Sequence, residues 1–218
     1  MLLPLRFTTN SIARDARYAT ARHWYGIFCL APQRRLTAAV NEIARACELD
    51  PLSSVIGTHL GSMLYFRRRY KEAIEQYLRA LEVDPSFHLA YWHLGFPYAQ
   101  LAQYEDALGV LNQAGELGRN PQATTAALGY VYAAMGRAND AENMIKNLEK
   151  LAASSYVSPV NFALVHTALN NRDAAFQWLD KAKQEHASRI VHLKVDPGFD
   201  RLKTDPRFLS ILSSLNLL

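Results

Sequence analysis

Alanine recurs at Ala39, Ala73, Ala107, Ala141 and Ala175, at a constant step of 34 residues. The same step links Ala46, Ala80, Ala114, Leu148 and Ala182, and also Ile27, Gly61, Gly95, Gly129 and Ala163. Small residues held in phase over five copies mark a repeat architecture, in which each unit is one supersecondary element stacked on its neighbours. Small side chains are required where two helix axes cross closely, so the frame predicts two antiparallel helices per unit. Large apolar residues fill the space beside them: Leu60, Leu94 and Leu128 in first helices, and Ile43, Tyr77, Leu111, Ile145 and Leu179 in second helices. One helix pair cannot bury its apolar face alone, so stacking is obligatory.

The junctions carry turn chemistry. Asp50-Pro51 and Asp84-Pro85 keep the same interval and predict Asp as N-cap with Pro in the first turn of the next helix. Ser158-Pro159 reads the same way. Residues Asp15 to Ala19 resemble the junction at Asp84 to Phe87, with Ala16 in the proline slot, so the chain is expected to begin at the tail of an earlier repeat. Pro97 lies inside a first helix and predicts a kink or loosening there. Near the C-terminus, Asp196-Pro197-Gly198-Phe199 and Asp205-Pro206-Arg207-Phe208 are two N-cap, proline and aromatic-anchor steps, the second opening a final helix to about Leu215.

The run Leu60-Gly61, Ala73, Tyr77, Ala80, Pro85, then Tyr91, Leu94-Gly95, Tyr98, Ala107 and Ala114, resembles the tetratricopeptide repeat (TPR) consensus. The resemblance covers Thr20 to His186, with repeats starting near residues 20, 54, 88, 122 and 156. The first repeat lacks the glycine of the Leu-Gly pair, and the fourth and fifth lack the closing proline. It implies an all-α, right-handed superhelical solenoid of about five helix pairs. Residues 1–19 form an N-terminal arm and remnant of a preceding repeat, and residues 187–218 a tail with a capping helix. That tail, with Phe176, Trp178 and Leu179 before it, is similar to the end of bacterial TPR arrays that trail winged-helix regulators, serine/threonine kinases and adenylate-cyclase-like proteins. The sequence holds no kinase motif and has no room for a winged helix.

Chemistry-bearing motifs are absent. The seven histidines form no HExxH and no pair three or four apart, and Cys29 and Cys47 have no partners for a tetrahedral metal site. There is no GxSxG, Walker loop or GxGxxG. No catalysis, metal or cofactor is expected. Net charge is +4 and basic residues are dispersed, which does not point to nucleic acid. Two thiols outside any CxxC fit a reducing compartment. No stretch approaches the roughly 20 apolar residues of a membrane span, so the expected setting is cytoplasmic, or extracytoplasmic for an arm of a membrane-anchored regulator. Arg34-Arg35 and Arg67-Arg68-Arg69 occupy equivalent turns and stack as a short basic edge, read as a solvated turn in preference to an acidic-partner contact.

In TPR arrays the first helices line the concave face. The resemblance places Trp24, Phe28, Thr58, Ser62, Tyr65, Phe66, Trp92, Phe96, Gln100 and Tyr130 there. Lys, Arg and Asn, which the carboxylate-clamping TPR mode needs, are missing from these positions. An aromatic groove left open to water would be a large apolar patch, and something must cover it. The expected function is therefore non-catalytic scaffolding of a protein or peptide partner, through an apolar or amphipathic segment held in the groove. The alternatives are the docking arm of a larger regulator, with the groove covered by its own chain or by a second copy, and tight winding that makes the aromatics core.

Overall fold

The computed structural model of the chain describes residues 2–217, with side chains from residue 8 onward. Met1, Leu218 and the first seven side chains of the predicted N-terminal arm lie outside the described residues. Helices follow one another in pairs: α4 (Ser54–Phe66) on α5 (Tyr70–Val83), α6 (His88–Gln100) on α7 (Tyr104–Glu116), α8 (Pro121–Ala134) on α9 (Ala138–Ala152), and α10 (Pro159–Ala168) on α11 (Arg172–Gln184). The first pair is α2 (Ala19–Trp24), prolonged by a π-helical turn at Tyr25–Leu30, against α3 (Leu36–Leu49). First helices also pack on first helices, α6 on α8 and α8 on α10, which makes the stack a solenoid.

The small-residue frame works by steric exclusion. A Cβ on Gly61 would lie 2.6 Å from the Tyr77 ring, and one on Gly95 would lie 2.7 Å from Leu111 Cγ. Ala39, Ala73, Ala107, Ala141 and Ala175 on the second helices are each fully buried. The first repeat obeys the same rule by another route. Ile27 holds the frame position, but the π turn takes up one extra residue and brings Gly26 against Ile43, where a Cβ would sit 2.6 Å from Ile43 Cγ1. The glycine missing from the sequence register is therefore present one residue early.

The turn between the two helices of each pair also repeats. Arg34, Arg68, Ala102, Gly136 and Asn170 all take positive φ, from 57° to 78°. Their spacing is the 34-residue step again. Only glycine and asparagine adopt this conformation readily, so Arg34, Arg68 and Ala102 are held there by the packing of the helices on either side.

The Asp-Pro junctions differ from the expectation. Asp50 and Asp84 are C-caps of α3 and α5, and the chain turns through them before the next helix begins. Ser53 is the N-cap of α4, accepting from Ile56 N. The Asp84 carboxylate instead accepts from Ser86 N at 2.9 Å, while its carbonyl accepts from Phe87 N at 3.1 Å. Asp15 repeats that geometry, accepting from Arg17 N at 2.8 Å and from Tyr18 N at 3.1 Å. It joins α1 (Leu2–Arg14) to α2, and α1 packs on α2 and the π turn. Pro97 does not break α6, which runs to Gln100 with Leu101 N bonded to Pro97 O at 3.1 Å. At the C-terminal steps Asp196 and Asp205 do act as side-chain N-caps, and Phe199 and Phe208 are buried anchors. Asp205 opens α12 (Pro206–Ser214).

Glycines that look alike in sequence should separate by their surroundings. Gly26→Ala is expected to lose about 1–3 kcal/mol through overpacking against Ile43. Gly109→Ala, in α7 with nothing among the described residues within 4 Å of its Cβ position, is expected to gain about 0.5–1 kcal/mol. Urea denaturation of the two variants measures both.

Candidate functional site

The concave face is occupied by the chain itself. After α11, residues 187–202 form a strap: a 3₁₀ segment at Ser188–His192, a linking turn, and a second 3₁₀ segment at Pro197–Leu202. A 3₁₀ helix aligns side chains three apart. Ile190 with Leu193, and Phe199 with Leu202, accordingly share one buried side, each no more than 4% exposed. All four join the core formed by α4 to α11. Gly198 permits the close approach, since a Cβ there would lie 2.7 Å from Leu164 Cδ1.

Polar contacts lock the strap at both flanks. Arg68 donates through Nη1 to Phe66 O at 2.9 Å and to Val195 O at 2.8 Å, and through Nη2 to both Asp200 carboxylate oxygens at 2.8 and 3.0 Å. Paired donors of this kind hold geometry better than single ones. His192 Nε2 meets Ile27 O at 3.1 Å, and its ring lies 5.4 Å from Phe66. Arg189 lies over the rings of Trp92 and Phe96 at 4.9 and 5.3 Å, and pairs with the buried Asp196 at 3.2 Å. At the far end Arg201 donates to Ala168 O.

This packing sorts the ten predicted groove residues. Thr58, Ser62, Tyr65, Phe96 and Tyr130 are buried, and Phe66, Trp92 and Gln100 are half-buried. The buried five are not free to meet a polypeptide partner while the strap is seated. Several bond within the protein: Tyr77 donates to Ser62 Oγ at 3.3 Å, Gln100 donates to the Tyr130 hydroxyl at 2.7 Å, and Trp92 Nε1 donates to Ala123 O at 2.9 Å. Only Trp24 and Phe28 of the ten are open, at 47% and 37% exposure, with their rings stacked at 5.0 Å. They form a mouth at the N-terminal end of the groove. In the predicted basic edge, Arg68 is committed to the strap and Arg69 pairs with Glu72 beside it. Arg34 lines a shallow pocket with Lys194 and Phe208, Arg35 precedes α3 as its N-cap residue, and Arg67 caps α4.

Beneath the mouth lies a cluster that spacing along the chain does not reveal. His23 Nε2 and His59 Nδ1 are 2.7 Å apart. His93 stands one repeat beyond His59 and stacks on Tyr77 at 5.6 Å, and His192 arrives from the strap. A pair 36 residues apart is invisible to a search for neighbours on one helix turn, although the 34-residue step from His59 to His93 was there to be found. Burial holds His23 down at about 4 and His59 at about 3, the latter also disfavoured by its histidine neighbours. His93 and His192 are lowered for the same first reason. Among the described residues no group of three or more metal-ligating side chains is arranged to hold an ion, and no helix is long and apolar enough to cross a membrane.

A TPR repeat family model matches residues 61–101. Solved structures share the fold more widely. YrrB, a TPR protein with an unusual peptide-binding site, is 22% identical, with 86% of this chain and 96% of that one covered and a TM-score of 0.52. PilF of Pseudomonas aeruginosa is 15% identical, with coverages of 86% and 85% and a TM-score of 0.56. The APC/C hetero-tetramer Cut9-Hcn1 contains a chain 19% identical, covering 96% of this protein but only 42% of that chain, with a TM-score of 0.67. At such identities the likeness is one of fold. No curated protein matches the chain by sequence.

Neutral buried imidazoles make stability depend on pH. The unfolded chain takes protons near the ordinary histidine value of about 6.5, whereas the folded chain resists them down to about 4 and 3 at His23 and His59. The unfolded state thus binds more protons in this window, so stability is full above about 6.5 and falls as the pH drops toward 4. At pH 5 each imidazole that stays neutral costs about 2 kcal/mol. Urea midpoints taken between pH 7.5 and 5 should fall accordingly, and a flat profile would mean that these rings are charged in the fold.

Proposed function

We propose that this tetratricopeptide-repeat chain is a non-catalytic protein–protein interaction scaffold that takes an apolar or amphipathic segment at the N-terminal mouth of its concave groove. The observation that carries this reading is the stacked, exposed pair Trp24 and Phe28, beside the half-buried Phe66 and Trp92. Rigid aromatic side chains next to an apolar pocket are the common anchors of interfaces. The existence of a peptide-binding site in YrrB, which shares the fold, supports the assignment of scaffold.

Energetics argue for the mouth over the centre. Freeing the centre means exposing Ile190, Leu193, Val195, Phe199 and Leu202, each at most 4% exposed in the fold. At about 2 kcal/mol per apolar side chain this amounts to about 10 kcal/mol, comparable with the whole stability of an ordinary domain. A peptide cannot offset that cost and still bind well. The mouth carries no such cost.

A second reading has its own support. In the docking arm of a larger regulator the groove would be covered from within the same chain, and residues 187–202 provide such a cover. In that reading the mouth serves an effector domain in place of a separate partner.

A peptide selected for binding from a displayed library, with apolar residues at i, i+3 and i+4, separates surface anchors from core. Trp24→Ala and Phe28→Ala should each weaken its binding by about 30-fold, the effect of a hot-spot residue, with melting temperatures held within a few degrees. Loss of binding only alongside loss of fold would defeat the proposal. The same peptide binding unchanged would do so too.

A further inference from the structure

The strap and the first helices together line a cavity of about 240 Å³. The rings of Phe28, Phe66, Trp92 and Phe96 wall it, together with the imidazoles of His59, His93 and His192. Two polar groups of this wall lack partners among the described residues. Tyr65 is only 4% exposed, yet its hydroxyl makes no hydrogen bond. Arg189 gives Nη2 to Asp196, while its Nη1 is buried and bonded to nothing. A guanidinium nitrogen can only donate. The group is held in place by Trp92 and Phe96 beneath it. An apolar chamber that presents a fixed cationic donor and a phenol lacks an oxygen acceptor.

We propose that this cavity binds a small organic carboxylate with a ring-sized apolar body, its oxygens accepting hydrogen bonds from Arg189 Nη1 and the Tyr65 hydroxyl. The size is adequate, since a cavity of about 150 Å³ lined by apolar side chains holds benzene. The ring lies among the aromatic walls and the carboxylate at Arg189. This site adjoins the exposed stack of Trp24 and Phe28, with Phe28, Phe66 and Trp92 bordering both, and differs from it in the buried donors Tyr65 and Arg189.

Charge balance sets the pH response. The titratable and charged groups around the cavity are His23 from α2, His59 and Tyr65 from α4, Tyr77 from α5, His88 and His93 from α6, and Arg189, His192 and Asp196 from the strap. Arg189 is already balanced by Asp196 at 3.2 Å. An incoming carboxylate therefore adds an uncompensated negative charge beside neutral imidazoles. The nearest remedy is a proton on His59, His93 or His192, so binding takes up a proton and tightens as the pH falls.

Calorimetric titration of the full chain with phenylacetate at pH 8 and pH 6, at constant ionic strength, tests this. The neutral isostere phenylacetamide serves as control. Saturable binding of one phenylacetate is expected, about tenfold tighter at pH 6 than at pH 8, with the amide weaker by about tenfold or more for want of the charge-assisted bond. Arg189→Gln should abolish the preference for acid over amide. Because that change leaves Asp196 unpaired and could loosen the strap, Tyr65→Phe provides the second variant. It removes only an unbonded hydroxyl, so it should melt no lower than the parent while binding phenylacetate several-fold less tightly. Absence of saturation at either pH, equal affinity for acid and amide, or full affinity in folded Tyr65→Phe would each overturn the proposal. The first of these outcomes would assign the two free donors to water alone.

Discussion

A solenoid of helix pairs has a concave face that belongs to no pair, and in this chain that face is built of rings. Tyr65, Phe66, Trp92, Phe96 and Tyr130 stand on successive first helices, with Tyr70 at the start of α5 lying 5.8 Å from the Tyr65 ring. Apolar surface of that extent must be removed from water. Residues 187–202 remove it by running through the groove and contributing Ile190, Leu193, Phe199 and Leu202 to the core. The position of the strap decides what else the protein can do. It buries the centre of the groove, leaves Trp24 and Phe28 open at one end, and lines one side of the histidine-walled cavity beneath them.

The strap holds by shape first and by charge second. Its apolar side chains supply most of the stabilisation, while Arg68 fixes the register. One guanidinium reads a main-chain oxygen at Val195 and a carboxylate at Asp200, so sliding the strap by a residue would break both. Arg68 reaches them from a left-handed turn that the repeat imposes at 34-residue intervals. The predicted basic edge is in part the clasp of an internal segment. The pair is a third to nearly a half exposed, so its net contribution to stability is small, about 1 kcal/mol or less.

The solenoid was legible in the sequence because steric exclusion at helix crossings leaves a trace at fixed spacing. The alanines at 39, 73, 107, 141 and 175 are each fully buried where the 34-residue frame puts them. Gly26 was not legible, because a π turn shifts it out of phase and spacing carries no mark of an inserted residue. The Asp-Pro steps misled in part: the same dipeptide ends a helix at Asp84 and begins one at Asp205, and which role it takes depends on whether the preceding helix continues up to the aspartate. The groove residues could be named from the repeat register, but their burial could not, since it depends on a segment up to 165 residues away in sequence, as the contact of His192 with Ile27 illustrates. The three-residue apolar spacing at Ile190–Leu193 and Phe199–Leu202 was the available signal. It is a weak one, because helices and 3₁₀ turns both satisfy it.

Hydrogen exchange at the strap tests the central claim most directly. Val195 N and Asp196 N both bond to His192 O at 2.9 Å, so their protection reports whether the strap stays seated. If residues 187–202 are core, these amides should exchange only through global unfolding, with the same opening free energy as the amides of α6 and α10. Fast exchange of the strap, with α6 and α10 still fully protected, would mean that the groove opens on its own and that the account of a permanently filled concave face is wrong.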